Sequence, residues 1–251
     1  MGRLGVSTGD ADRWIFNRLA EDYRSRPAYP EPLVDRLSAL AGPGGRVVEL
    51  GAGTGLLAGP LARRGHPVVA VEPAAAMLAV LREASEGLPI EAVQAAAEET
   101  GLPGGRAALV VLADALQWVE PERAGREAGR LLAPGGAVAV VEVHLGGSPF
   151  TAGVAALLAD ANPRARPRPP GRLAQLLAAA GATGRKAEAH RDEVVLDARQ
   201  LDAVLRSNSL VGPALGPERL NRLLEDARAL ASRTGGARWT RELTVTWARK
   251  A

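Results

Sequence analysis

The sequence contains no cysteine among its 251 residues. It therefore has no disulfide framework, no thiolate nucleophile and no cysteine-ligated zinc or iron–sulfur site. No apolar run approaches the ~20 residues that a membrane-spanning helix needs. The N-terminal residues up to Ala20 carry several charges and lack an apolar segment. We expect neither a membrane span nor a signal peptide, and we predict a cytoplasmic protein.

Lysine is nearly absent as well, since it occurs only at Lys186 and Lys250. The 31 basic residues, almost all arginine, are scattered and balanced by 28 acidic ones, which leaves a net charge of +3. A nucleic-acid-binding surface normally shows a concentrated basic patch. The sequence therefore predicts neither a nucleic-acid nor a membrane partner, although its pI is near 9.9.

Predicted strands and helices alternate between residues 46 and 144. Short apolar runs predict strands in RVVELG, HPVVAVEP, PIEAVQAAAE, GRAALVVLADALQW and AVAVVEVH, and apolar residues at three- to four-residue spacing predict helices between them. This alternation is typical of a mostly parallel α/β sheet. After His144, EAHRDEVVLD and RWTRELTVTWARK predict two more strands, of which the last is antiparallel.

A glycine-rich loop, GAGTG, follows the first predicted strand. Glycine tolerates a positive φ and lets a ligand approach the backbone, and the helix that follows presents free N–H groups. Glu72 ends the second predicted strand, where a carboxylate can accept hydrogen bonds from a ribose diol. The pattern predicts a ligand that contains a ribose and an anionic group.

Three ligands suit such a loop: a nucleoside triphosphate, the dinucleotide NAD and S-adenosylmethionine. A nucleoside triphosphate is disfavoured because the loop lacks the Gly-Lys-Ser/Thr ending of a P-loop. NAD stays open, but the G-x-G-x-x-G spacing fails because residue 56 is leucine. Glu49, just before the loop, is repulsive to a pyrophosphate and attractive to an ammonium or sulfonium group. An NAD-dependent oxidoreductase and a catalytically degenerate binding module remain the alternatives to an S-adenosylmethionine enzyme.

Four motifs in one order resemble the class I S-adenosylmethionine-dependent methyltransferases: VVELGAGTG, VVAVEP, AAAEETGLPGG and LLAPGGAVAV. The flanking FNRLAEDYRSRPAYPEPLVDRL, ADALQW and LRSNSLV resemble a bacterial branch similar to trans-aconitate methyltransferases. The resemblance implies a Rossmann-like sheet of seven strands, mostly parallel with the last antiparallel, with helices on both faces and a helical cap. The expected single domain comprises lid helices at 12–41, a cofactor-binding core at 46–144, a substrate cap with late sheet elements at 145–235 and a final strand at 238–250.

The resemblance also implies a binding role for particular residues. S-adenosylmethionine is the expected cofactor, with Glu49 facing its ammonium group and Glu72 holding its ribose. The other expected cofactor contacts are Tyr23 and Arg26 in the lid, the backbone of Gly51, Ala52 and Gly53, Pro73, Met77, Ala97 and Glu98 around the adenine, and Ala113 and Asp114 near the ammonium group. No metal ion is expected.

The acceptor is expected at the carboxyl edge of the sheet, beside the cofactor. Gln117 and His144 are the candidate catalytic residues. The imidazole of His144, which follows strand 5, could take up a proton from the acceptor. Trp118, Ser207 and Asn208 are candidate acceptor contacts. We predict a small-molecule acceptor, methylated on the oxygen of a carboxylate or hydroxyl, and a monomer or homodimer. An apolar wall from Phe150, Leu157 and Leu158 is expected to flank it.

Overall fold

The computed structural model describes residues 15–162, 170–208, 211 and 214–250. Two helices precede the sheet, α1 (Phe16–Tyr23) and α2 (Glu31–Ala41). The core follows as β1 (Val47–Leu50), α3 (Ala58–Arg63), β2 (Val68–Val71), α4 (Ala75–Ala84), β3 (Ile90–Val93), β4 (Ala107–Ala113), a 3-10 turn (Leu116–Trp118), α5 (Pro121–Leu131) and β5 (Leu132–Leu145). The rest comprises α6 (Pro149–Ala161), α7 (Arg172–Ala179), β6 (Ala182–Leu196), α8 (Ala198–Arg206), α9 (Pro217–Arg233) and β7 (Ala237–Lys250).

The seven strands form one sheet in the order β3-β2-β1-β4-β5-β7-β6. Strands β1 to β5 pair in parallel, and β7 runs antiparallel to both β5 and β6. This confirms the predicted fold class. The strand order reverses direction between β1 and β4, and open α/β sheets bind their ligands outside the carboxyl ends of the strands at such a point.

The central strands are buried on both faces, which explains why they are continuous apolar runs in the sequence. All four residues of β1 and of β2 are buried. Alternate side chains enter opposite layers: Val47 and Leu109 pack under α2 and α3, whereas Val48 and Val110 pack under α5 and α7. Two apolar layers therefore fix the sheet, so its carboxyl edge is a rigid platform.

Strand β5 begins earlier than its sequence predicts. Helix α5 ends at Leu131, and the strand already pairs at Leu132, opposite Ala107. The register then shifts, and residues 133–136 bulge out before Ala137 pairs with Leu109. Gly135 has φ +71°, so the Pro-Gly-Gly turn predicted from the sequence is the bulge that separates the two paired parts of β5.

The chain after β5 builds a separate apolar cluster around α6, α8, α9 and β7. Phe150 is fully buried in this cluster against Trp239, with Leu157 and Leu158 at its margin. The expectation that these three residues line the acceptor pocket is wrong, because helix α6 turns them towards α9 and β7. The predicted Pro/Arg loop falls mainly on residues 163–169, which lie outside the described residues, as do residues 12–14 of the expected lid.

None of the helices in the described part of the chain is long and apolar enough to cross a membrane.

Candidate functional site

A cavity of about 400 Å³ opens at the carboxyl edge of the sheet, which lies within the range of small-molecule sites. It runs from the ends of β1 and β2 across β4 to β5 and β7. The structure brings almost all of the candidate site residues to it. Those that line it are Tyr23, Arg26, Glu49, Gly51, Ala52, Gly53, Glu72, Pro73, Met77, Ala97, Glu98, Ala113, Asp114, Gln117, Trp118, His144 and Asn208.

The glycine loop forms the floor of the cavity. The backbone N–H groups of Gly51 and Ala52 donate to the Val71 carbonyl at 2.8 and 3.0 Å, which ties the loop to the end of β2. Gly53 has φ +55°, and a Cβ atom on it would meet no atom within 4 Å, because it would project into open space. The loop therefore leaves room for a ligand directly above Gly53.

Glu72 is held rigidly at the end of β2. Its Oε2 accepts from the Gly53 N–H at 3.0 Å and its Oε1 from the Ala74 N–H at 2.9 Å. Burial raises the pKa of this carboxyl, and the hydrogen bonds from Ala74 and Gly53 oppose that effect. Each oxygen keeps a further lone pair, so the carboxylate is oriented to accept two hydrogen bonds from a diol.

Glu49 lies deeper, at the end of β1, with 2% of its surface exposed. Burial raises its pKa well above 4.5, a hydrogen bond from the Ala58 backbone lowers it, and the nearby Glu72 raises it further. Its Oε2 has no hydrogen-bond partner among the described residues. A buried carboxyl with an unsatisfied oxygen at the base of a cavity favours a cationic or hydrogen-bond-donating ligand.

Asp114 follows β4 with φ +50°, the only non-glycine residue of the described chain with a positive φ. Such strain is concentrated at functional sites. The Gln117 amide donates to the Asp114 carbonyl at 2.7 Å, while the Asp114 N–H donates to Val141 at 2.8 Å. Gln117 thus stabilises the turn that carries Asp114, a role that the sequence did not suggest.

The lid is an aromatic cluster joined to the cap by Arg26. The Phe16 ring stacks edge-on to Trp118 at 5.0 Å and to Tyr23 at 6.1 Å. The Arg26 guanidinium lies 4.0 Å from the centre of the Tyr23 ring, and it donates to the Ser207 hydroxyl and carbonyl at 2.9 and 2.8 Å. Ser207 is fully buried and does not line the cavity, so it anchors Arg26 instead.

The segment that carries Ala97 and Glu98 is clamped to helix α5. Glu98 accepts from the Glu120 N–H at 2.7 Å, and Glu127 accepts from the Thr100 N–H at 3.0 Å. Burial raises the pKa of Glu127, but hydrogen bonds from Arg130 and Thr100 outweigh it and lower the pKa to about 2. The charged Glu127 therefore fixes one wall of the cavity.

His144 lies at the rim, at the end of β5, and is exposed. Its cross-strand neighbour on β7 is Glu242. The structure places His144 where it can reach a molecule in the cavity, but no described carboxylate is hydrogen-bonded to orient its ring. This imidazole is thus free to turn towards a bound molecule.

Sequence reasoning missed several further lining residues, among them Phe16, Tyr29, Thr54, Trp239 and Arg241. The aromatic residues among them could have been identified from the composition of the sequence. The chain has only two tyrosines, two phenylalanines and four tryptophans, and both tyrosines, one phenylalanine and two tryptophans line this single cavity. In a chain with 3% aromatic residues, a ligand site explains such a concentration better than core packing does.

Comparison with known proteins agrees with this picture. Residues 48–140 match the model of a family described as a methyltransferase domain. Uncharacterised methyltransferases of Mycobacterium tuberculosis and Mycobacterium bovis are 44% identical to the chain over 119 residues, which is 47% of this chain and 47% of each relative. The match thus spans about half the length of these curated relatives.

Solved structures show the same fold. A protein of Anaeromyxobacter dehalogenans, described as a candidate type II methyltransferase, superposes with a TM-score of 0.60 at 21% identity, over 90% of this chain and 97% of its own. Phosphoethanolamine N-methyltransferase 2 of Haemonchus contortus, in complex with phosphomonomethylethanolamine and S-adenosylhomocysteine, has a TM-score of 0.55 at 16% identity, over 97% of this chain and 58% of its own. At these identities the likeness shows the fold alone.

Proposed function

We propose that this protein transfers a methyl group from S-adenosylmethionine to a small-molecule acceptor, and the match of residues 48–140 to the methyltransferase-domain model supports this. The observation that supports it best is the pairing of two buried carboxyls in one cavity. Glu72 has both oxygens oriented by backbone N–H groups, and Glu49 has an oxygen without a partner among the described residues. The first suits a ribose diol, and the second suits a cation.

The residues present fit this cofactor. Open space above Gly53 accommodates its methionine part, Glu49 would face its ammonium group and Glu72 would accept from its ribose hydroxyls. Pro73, Met77, Ala97 and Glu98 would surround the adenine, and Ala52 and Gly51 would pass beneath the methionine part. When bound, the cofactor supplies an electrophilic methyl group attached to a positively charged sulfur atom.

The chain contributes alignment and exclusion of water rather than covalent chemistry. Tyr23 and Arg26 close the methionine end, and Trp118 packs beside it. The acceptor lies towards β5, where His144 can take up the proton that an attacking hydroxyl releases. Asn208, at the end of α8, contacts the acceptor, and Gln117 holds the Asp114 turn in place. We favour oxygen as the methylated atom.

Calorimetric titration with S-adenosylhomocysteine tests the proposal. We expect binding in the micromolar range, and an acceptor panel with S-adenosylmethionine should yield S-adenosylhomocysteine. The absence of binding at millimolar ligand would refute the proposal. Titration with NADH in parallel distinguishes an oxidoreductase, for which Glu72 would be an equally good ribose ligand. Cofactor binding without turnover on the whole panel would instead indicate a binding module.

The remaining parts of the proposal follow from composition and fold. We propose that the chain acts in the cytoplasm as a single methyltransferase domain, as a monomer or homodimer, without a nucleic-acid or membrane partner. The net charge of only +3, with basic and acidic residues nearly balanced, supports the part of the proposal that concerns nucleic acid. Size-exclusion chromatography with light scattering measures the oligomeric state directly.

A further inference from the structure

The cavity divides into two halves along the sheet. One half lies at the ends of β1 and β2 and beside the segment that carries Ala97, and it contains Glu49 and Glu72, the carboxyls that suit the cofactor. The opposite half is formed by β5, β7, helix α8 and the strap, which is the extended segment of residues 26–30 between α1 and α2. We call it the acceptor half, and its lining residues are Tyr29, Val143, His144, Leu145, Val204, Leu205, Asn208, Trp239 and Arg241.

Most of the acceptor half is apolar. Val204 and Leu205 face the cavity from α8 and are buried, and Val143 and Leu145 contribute aliphatic surface from β5. Trp239 is 8% exposed, and Phe150 packs edge-on against its ring at 6.4 Å, which fixes the indole. Together these aliphatic side chains and the indole offer dispersion and stacking contacts to an apolar molecule.

Arg241 lies on β7 in the acceptor half, and its guanidinium is already engaged. Its Nε donates to Asp192 at 3.0 Å, and its two terminal nitrogens donate to the Pro27 and Ala28 carbonyls at 3.1 and 2.6 Å. A second contact joins it to the same Asp192 carboxylate. Arg241 therefore holds the strap against the sheet, and its charge is neutralised by Asp192.

Arg26, the first residue of the strap, donates to Ser207, lies over the Tyr23 ring and has one terminal nitrogen 4.0 Å from Asp114. Tyr29 lies near two carboxyls, Asp114 and Glu49, and near Arg26 and Arg241. Burial raises the pKa of Tyr29, and Asp114 and Glu49 raise it further. Its phenol is therefore neutral at physiological pH and presents a hydroxyl without charge.

We infer that the acceptor is an uncharged molecule with a flat, apolar body and a hydroxyl group, and that carboxylate or phosphate acceptors are disfavoured. This inference rests on the proposed function. An anion in the acceptor half would lose its hydration beside Asp114, and the two arginines that line the cavity are already held, Arg241 by Asp192 and Arg26 by Ser207 and Asp114. A neutral ring would stack on Trp239 and could donate or accept a hydrogen bond at Tyr29 or His144.

Three matched probes test the inference: 2-naphthol, 2-naphthoate and 2-naphthylmethylammonium, titrated calorimetrically into the protein saturated with S-adenosylhomocysteine. We expect 2-naphthol to bind at least about tenfold more tightly than 2-naphthoate, as one unpaired buried charge predicts. Tighter binding of 2-naphthoate or of the cation, or no binding of 2-naphthol, overturns the inference. Failure of S-adenosylhomocysteine itself to bind overturns the proposed function instead.

Two variants on the same strand make the test specific. Trp239→Leu should weaken 2-naphthol binding about tenfold and leave S-adenosylhomocysteine affinity unchanged, because the variant loses the stacking contact with the indole ring. Trp247→Leu is the matched control, since Trp247 lies on β7 but packs under α2, outside the cavity. Equal behaviour of the two variants towards 2-naphthol contradicts the proposed stacking surface.

Discussion

Glu72 is the residue on which the cofactor assignment can be tested most sharply. Replacing it with alanine removes the acceptor for two ribose hydroxyls and leaves the Gly53 and Ala74 N–H groups without their carboxylate. A hydrogen bond to a charged group contributes about 1.5–3 kcal/mol. The loss of a single such bond therefore lowers affinity about 10- to 100-fold, and we expect S-adenosylhomocysteine binding to weaken by at least about tenfold.

The same substitution also affects stability. The Ala74 N–H is buried, and an unsatisfied buried donor costs about 1–3 kcal/mol, so the free energy of unfolding should fall by that amount. Calorimetry measures the affinity and a denaturant titration measures the stability, which separates the two effects. Glu72→Gln should lie between wild type and alanine, because the amide keeps one acceptor oxygen but turns a donor towards the other N–H group.

Glu91→Ala is the control for this experiment. Glu91 is exposed on β3 and forms only a surface ion pair with Arg46 at 3.1 Å, so its loss should change both quantities little. An unchanged affinity for S-adenosylhomocysteine in a folded Glu72→Ala variant would remove the ribose assignment, and with it the main support for the proposed cofactor.

Three further predictions follow. Gly53→Ala and Gly105→Ala both place a side chain at positive φ in open space, so each should lower the free energy of unfolding by about 1–2 kcal/mol. Only Gly53→Ala should abolish S-adenosylhomocysteine binding in calorimetry. Equal binding by the two variants would mean that the loop does not contact the ligand. Glu49 has a raised pKa in the folded free protein, so its stabilising contribution is present below pH 4.5 and is lost as pH rises through the folded pKa. A ligand cation should expel the proton of this carboxyl. Proton release should therefore accompany binding, and titrations in buffers of different ionisation enthalpy measure it. Its absence would contradict an ammonium contact. Glu127→Leu should lower the free energy of unfolding at neutral pH by about 1–3 kcal/mol, because it leaves the Thr100 N–H unpaired. Since the pKa of Glu127 in the folded protein is about 2, its stabilising contribution is present above pH 4.5 and is lost as pH falls towards 2. The stability difference between variant and wild type should therefore shrink at low pH, which thermal melts at a series of pH values measure.

Much of the fold could be predicted from the sequence because local patterns determine it. Buried parallel strands require continuous apolar runs, and VVEL and VVAV can meet that requirement only as central strands. The glycines of the loop and the carboxylates at the ends of β1 and β2 follow from adjacency along the chain. Their presence in one cavity was therefore predictable once the strands were assigned as parallel neighbours.

Contacts between distant segments were decided by the tertiary structure. Tyr29 and Arg241 are separated by more than two hundred residues, and no periodicity links them, yet the strap brings them to one cavity. Ser207 resembled a ligand contact in the sequence but anchors Arg26, and Phe150 resembled a pocket wall but fills a core. Side-chain direction in these irregular segments depends on packing against other elements, which sequence spacing does not encode.

The sequence by itself determined the sheet, the glycine loop and the two carboxyls, because short-range pattern and strand direction are sufficient to place them. Only the tertiary structure decided which arginines are engaged and which aromatic rings face the cavity. The physical reason is that a guanidinium or an indole reaches across elements, so its partners are set by how helices, strap and sheet pack together.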